Sequence, residues 1–111
     1  MNWQSKYAMY PDCEFRTGRY GNGNLALQVE SPTEGLICVC SVNPDVPLPD
    51  NELAVKDWSE NEGMVEELKR QNVIFGDPVR TFNTAYGFVK IKVFALTDYG
   101  ESLFGKREVK G

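Results

Sequence analysis

The sequence predicts an α+β domain: an antiparallel sheet of four to six strands with one α-helix packed on one face. Side chains alternate between two faces over residues 25–30 and again over residues 88–96, which is the period of a strand. Over residues 60–71 a narrow apolar stripe recurs at helical spacing, which predicts the helix. At 111 residues the chain has the size of one domain. We expect this domain to span residues 1–104, with a flexible tail over residues 105–111.

A Gly-Asn-Gly run at residues 21–23 could be either a tight turn or a phosphate-binding loop. Asn-Gly between two strand patterns favours a hairpin, because the central residues of such turns need positive φ. A dinucleotide-binding fingerprint would need a third glycine where Ala26 stands, followed by a helix instead of a strand. We predict a three-residue bulged loop, which pairs Phe15 with Val29. A two-residue loop, which pairs Arg16 with Val29, is the alternative.

The other elements follow from turn residues and capping signals. A turn over residues 31–35 leads into a strand over residues 36–42, and three prolines in residues 43–52 predict an extended surface connection. Short strands are expected over residues 53–55 and 79–82. Ser59 and Glu62 match a capping box at the start of the helix. Asn72 offers a left-handed stop at its end.

Composition excludes several kinds of catalytic site. The chain has no histidine, so neither a Ser-His-Asp triad nor a histidine-based metal site can be assembled. Cys13, Cys38 and Cys40 are expected to be buried thiols. A three-thiolate metal site is the weaker alternative, since it lacks the Cys-x-x-Cys spacing. We therefore expect a protein that is not an enzyme and that uses no metal or cofactor.

Charge and hydropathy limit the partners. The net charge of −4 argues against a broad electrostatic surface for nucleic acid. The longest apolar run, residues 36–40, is far too short to span a bilayer, and the first ten residues lack the apolar stretch of a signal peptide. These features predict a cytoplasmic protein with no membrane partner.

Two stretches are candidates for binding. The last strand places aromatic rings and lysines on one face, as in sheets that bind single-stranded nucleic acid; these residues are Tyr86, Phe88, Lys90, Lys92 and Phe94. A more conservative interpretation is that both faces of this strand are used for packing. Trp58, beside acids at the predicted helix start, could anchor a protein partner. Its alternative place is in the core beneath the helix.

Three segments together resemble a known family: YGNGNLALQV, then KDWSENEGMVEEL after the proline-rich connection, and a closing YGFVKIKVFAL. They are similar to an uncharacterised bacterial small-protein family, domain-of-unknown-function family 4313, of gut anaerobes and their mobile elements. The resemblance spans about residues 18–96 and brings no catalytic or ligand residues. It implies a bacterial cytosol, an accessory gene and a role through binding.

The function expected from these observations is a non-catalytic protein-interaction module, such as a mobile-element accessory or inhibitor protein. The sequence does not identify the partner protein. The alternative is a single-stranded nucleic-acid binder that uses the aromatic and lysine face of the last strand.

Overall fold

The computed structural model describes residues 1–84 and 89–105, and these residues form an α+β fold with antiparallel strand pairing. The strands are β1 (Trp3–Gln4), β2 (Met9–Tyr10), β3 (Glu14–Arg19), β4 (Leu25–Ser31), β5 (Gly35–Val39), β6 (Glu52–Val55), β7 (Ile74–Asn83) and β8 (Lys90–Leu96). The helices are α1 (Met64–Arg70) and α2 (Asp98–Phe104). The predicted class is confirmed, but the described residues form three sheets and two short helices rather than one sheet with one helix.

The hairpin between β3 and β4 has the predicted register. Phe15 pairs with Val29, and the pairing runs without a break to Arg19 opposite Leu25. The loop closes through a hydrogen bond from the Tyr20 N–H to the Asn24 carbonyl, and Gly23 has a φ of 88°. A glycine at positive φ just before the second strand is the signature of the three-residue bulged loop. The glycine-rich run is therefore a turn.

Two three-stranded sheets enclose the main core. Their strand orders are β3-β4-β5 and β6-β8-β7, and a bridge between Ser41 and Val55 connects them. Alternate residues of β4 are buried between these sheets and α1, because every second side chain of a strand points to the same face. The large side chains fully buried in this core include Leu27, Leu53, Leu68 and Phe94.

The proline-rich connection is held to the hairpin by one buried side chain. The Asn24 amide donates to Asn43 Oδ1 at 2.9 Å and to the Val46 carbonyl at 2.9 Å. Its Oδ1 accepts from the Leu48 N–H at 2.7 Å. Asn24 is buried, so these bonds replace water for both the side chain and the loop. An extended connection can therefore be ordered without helix or sheet pairing.

The predicted helix over residues 60–71 is divided, and its predicted capping box is absent. A 3-10 helix (Ser59–Asn61) comes first, with Ser59 itself at a φ of 58°, and Gly63 at a φ of 92° separates it from α1. The carboxylate of Asp57 takes the capping role: its Oδ1 accepts from the N–H groups of Gly63 and Met64, both at 2.8 Å. Asn72 has a φ of 62°, which confirms the predicted left-handed stop.

Asp57→Ala should lower the free energy of unfolding by about 1 kcal/mol, because two N–H groups at the start of α1 lose their acceptor. Urea unfolding followed by far-ultraviolet circular dichroism measures this change. Ser59→Ala is the matched control and should change stability by less than about 0.5 kcal/mol. A larger loss from Ser59→Ala than from Asp57→Ala would mean that the capping box forms after all.

The C-terminal third adds two features to the sequence prediction. The expected strand over residues 79–82 is part of the longer β7, in which Gly76, Asp77 and Pro78 lie within a register shift between Phe75 and Arg80. Helix α2 was not predicted; the Thr97 side chain caps it by accepting from the Gly100 N–H at 2.9 Å. Most of the expected tail, residues 106–111, lies outside the described residues.

Candidate functional site

The strand face proposed for nucleic acid is not assembled within the described residues. Phe94 is only 2% exposed and belongs to the core cluster that also holds Leu68 of α1. Its ring is therefore unavailable for stacking on a base, since α1 packs into the same core. Lys90 and Lys92 are exposed, as predicted. Tyr86 and Phe88 lie outside the described residues.

Trp58 is half-buried, not a free surface anchor. It packs beside a small second cluster formed by Ala54, Ile91 and Val93. The ring thus contributes to the packing on the other side of β8. Trp58 therefore occupies neither predicted place, because the core beneath α1 is the other cluster, which holds Leu68.

A cleft of about 310 Å³ lies between the β1-β2 hairpin, the edge of β5 and the segment that leads into α1. Its floor includes Trp3, Ile37, Cys38 and Met64, and charged side chains lie along its rim. A volume of about 300 Å³ is at the lower limit of ligand pockets. The cleft can therefore take one large side chain or a small molecule.

A β-bulge directs β5 towards this cleft. The β4-β5 register shifts between Val29 and Glu30, whose partners are Cys38 and Leu36, so Ile37 is the extra residue. Bulges at sheet edges often redirect a side chain next to a binding site. The Asn61 side chain also donates to the Val39 carbonyl at 2.6 Å. This edge of the sheet is therefore poorly suited to pairing with a further strand. The bulge instead places the Ile37 side chain at the cleft.

The buried carboxylate of Glu67 fixes the opposite wall. Glu67 Oε2 accepts from the backbone N–H of Gln4 at 2.9 Å, which ties β1 to α1. The same carboxylate binds Arg70 and accepts from the Gln71 side chain. Burial raises the pKa of Glu67, but these hydrogen bonds outweigh it and leave the pKa below its usual value. The ionised carboxylate therefore holds the hairpin on the helix at neutral pH.

The rim charges are paired within the protein. Lys6 donates to Glu62 at 3.0 Å, and Lys56 pairs with Glu60. The hydrogen bond from Lys56 lowers the pKa of Glu60 to about 2, and the bond to Glu62 raises the pKa of Lys6. Since each lysine on the rim has a carboxylate partner, the rim offers no uncompensated positive charge to an anion.

Of the three cysteines, Cys38 lines the cleft, and Cys13 and Cys40 belong to the buried core cluster. All three are free thiols. Cys13 and Cys40 are buried as predicted, but Cys38 is only half-buried because it lines the cleft. A hydrogen bond with Cys40 lowers the pKa of Cys38; burial opposes this, and the Trp3 indole lowers it further. Burial raises the pKa of Cys40 well above its ordinary value and also raises that of Cys13. Within the described residues, no group of three His, Cys, Asp or Glu side chains is arranged to hold a metal.

This cleft is not among the sites that the sequence predicts. Its aromatic wall comes from β1 and β2, which are two residues long and too short for a periodic pattern. The bulge at Ile37 depends on pairing between distant segments. Cys38 was predicted to be a buried packing residue or, as the weaker alternative, a thiolate ligand of a metal. Aromatic residues near the start of the chain, namely Trp3, Tyr7 and Tyr10, are a signal in the sequence, but such a group is not specific for a binding site.

Comparison with protein-family models, curated proteins and solved structures finds no match to this chain. The resemblance to domain-of-unknown-function family 4313 therefore stays a prediction. No helix in the described part of the chain is long and apolar enough to cross a bilayer.

Proposed function

We propose that the protein is a non-catalytic interaction module whose cleft binds a segment of another protein by taking one apolar or aromatic side chain. The observation that carries this proposal is the cleft, with an apolar floor inside a polar rim. Protein interfaces commonly have this arrangement, in which a central anchor fills a pocket and polar groups surround it. A role as an accessory or inhibitor protein of a mobile element remains part of the proposal.

The exposed residues beside the cleft support a protein partner. Tyr7 lines the cleft and is 76% exposed. Tyrosine is enriched in protein interfaces, so an exposed tyrosine beside the cleft fits contact with another protein. Met9 on the same hairpin is also exposed. A partner segment seated over Ile37 would cover the Tyr7 ring. This ring would give apolar contact area without adding charge.

The paired rim favours an uncharged anchor over a phosphate. Lys6 and Lys56 are already bonded to Glu62 and Glu60. A polyanion would have to break these pairs and approach two rim carboxylates and the buried carboxylate of Glu67. Of the residues proposed to bind single-stranded nucleic acid, Lys90 and Lys92 are the ones that are exposed within the described part of the chain. No contact in the described residues favours it over the cleft.

The test is a selection of linear peptides from a random display library against the folded protein. We expect peptides that share one aromatic or large aliphatic position. Their affinity should fall at least about tenfold for Ile37→Asp, which places a charge in the apolar floor and corresponds to about 1.4 kcal/mol. Fluorescence anisotropy of labelled peptides measures the change.

Leu36→Asp is the matched control, because Leu36 neighbours Ile37, is 55% exposed and does not line the cleft. Peptide affinity for Leu36→Asp should stay within about twofold of the unmodified protein. Circular dichroism establishes that both variants are folded. Equal losses for the two variants, or a selection that yields no shared apolar position, would contradict the proposal.

A further inference from the structure

The half-buried thiol of Cys38 lies in the cleft floor, where a small reagent can reach it. Cys38 lines the cleft, while its neighbour Cys40 points to the same side of the chain and is fully buried. The Cys40 thiol lies close enough to Cys38 to lower its pKa, and Cys40 itself remains a neutral S–H because burial keeps its pKa high. A neutral S–H beside a sulfur can donate to it, which stabilises the thiolate at Cys38.

The indole N–H of Trp3 is a second group that lies beside Cys38 in the cleft. The indole Nε1–H of Trp3 is buried and has no partner with hydrogen-bond geometry among the described residues. Trp3 is 1% exposed and lines the cleft, and its N–H lies near enough to Cys38 to lower that thiol's pKa. A buried donor without an acceptor costs about 1–3 kcal/mol. An oxygen atom added to the Cys38 sulfur would supply an acceptor in this region.

Several charged groups share the cleft with Cys38. Lys6 and Lys56 favour a thiolate, whereas Glu60, Glu62 and Glu67 oppose it. Lys6 is paired with Glu62, Lys56 with Glu60, and Glu67 with Arg70, so these effects largely offset one another. The S–H of Cys40 and the indole N–H of Trp3, not the rim charges, therefore distinguish Cys38 from an ordinary cysteine.

We propose that Cys38 is a modification site, at which a small hydroperoxide entering the cleft oxidises the thiol to a sulfenic acid. The Cys38 thiolate attacks one peroxide oxygen, an S–O bond forms and the O–O bond breaks. The departing oxygen takes up a proton and leaves as an alcohol, or as water from hydrogen peroxide. The sulfur is oxidised by two electrons and the peroxide is reduced by two. This inference does not depend on the cleft binding a protein segment.

The test treats the folded protein with hydrogen peroxide in the presence of dimedone, which traps sulfenic acids, and locates the adduct by peptide mass spectrometry. We expect labelling at Cys38 to be at least about tenfold faster than at Cys13 or Cys40, since thiolate character and access govern oxidation. Comparing three cysteines in one protein needs no variant.

Two substitutions then test the donors. Trp3→Phe keeps an aromatic ring but removes the N–H, and Cys40→Ala removes the S–H; each should slow the labelling of Cys38. Cys13→Ser should leave its rate unchanged. Labelling of Cys38 no faster than that of Cys13 and Cys40 in the unmodified protein would overturn the proposal, whatever the variants do. Unchanged Cys38 rates in folded Trp3→Phe and Cys40→Ala would overturn the role of the donors.

Discussion

Phe94→Ala should lower the free energy of unfolding by about 4 kcal/mol, the largest loss expected from any substitution considered. Phe94 is 2% exposed and packs in the core between β8 and α1, so its removal leaves a cavity that neighbouring side chains cannot fill. Lys69 Nζ also lies 5.5 Å from the centroid of the ring. Guanidinium unfolding followed by tryptophan fluorescence measures the loss.

Phe75→Ala is the control for Phe94, because Phe75 is the same residue type on the same sheet but is 55% exposed. Its removal should cost less than about 1 kcal/mol. Near-equal effects of the two substitutions would show that Phe94 is not a core residue. The nucleic-acid hypothesis, in which Phe94 is a surface ring, would then regain support.

Gly100→Ala should cost about 3 kcal/mol although alanine is the better helix former. A Cβ at position 100 would lie 2.2 Å from the backbone oxygen of Val73 and 3.3 Å from the Cβ of Leu96. The gain in helix propensity is only about 1 kcal/mol, so the clash decides the sign. Relief requires moving α2, which would disturb the hydrogen bond from the Thr97 N–H to the Val73 carbonyl.

Gly18→Ala is the matched control in β3, since nothing lies within 4 Å of an added Cβ there. It should leave stability unchanged to within about 0.5 kcal/mol. Thermal unfolding of both variants, measured in parallel, separates the close approach at Gly100 from a general effect of adding a methyl group. A stabilised Gly100→Ala would mean that α2 is not held against Val73.

Local patterns predicted most of the secondary structure. The Asn-Gly turn predicted the hairpin, and the register that places apolar Phe15 opposite apolar Val29 predicted the pairing. Alternation identified β4 and β8, and Asn72 marked the end of α1. These features depend on residues close together in the chain, so the sequence carries them directly.

The errors arose where distant residues decide the outcome. The carboxylate of Asp57, rather than that of Glu62, lies at the start of α1, because Gly63 at positive φ turns the chain between the two helices. Phe94 shares a strand face with Lys90 and Lys92, yet only Phe94 is buried, since α1 covers one end of that face. Alternation predicts a face but not which part of it another element covers.

The candidate site was even less predictable. Trp3, Ile37 and Cys38 come together through hairpin docking, a bulge and the Glu67 hydrogen bonds, none of which has a sequence pattern. Exclusions based on composition were more useful, because an absent histidine removes whole classes of chemistry whatever the fold.

The most direct test that the cleft binds a protein segment is a nuclear magnetic resonance titration. The nitrogen-15-labelled protein is titrated with a peptide selected from the display library. Two tryptophans give two indole N–H signals, and only Trp3 lines the cleft. We predict saturable shifts of the Trp3 indole signal and the Ile37 amide, with the Trp58 indole signal unmoved. Shifts at Trp58 or at the Lys90 and Lys92 amides, with Trp3 unaffected, would contradict the assignment of the cleft as the binding site.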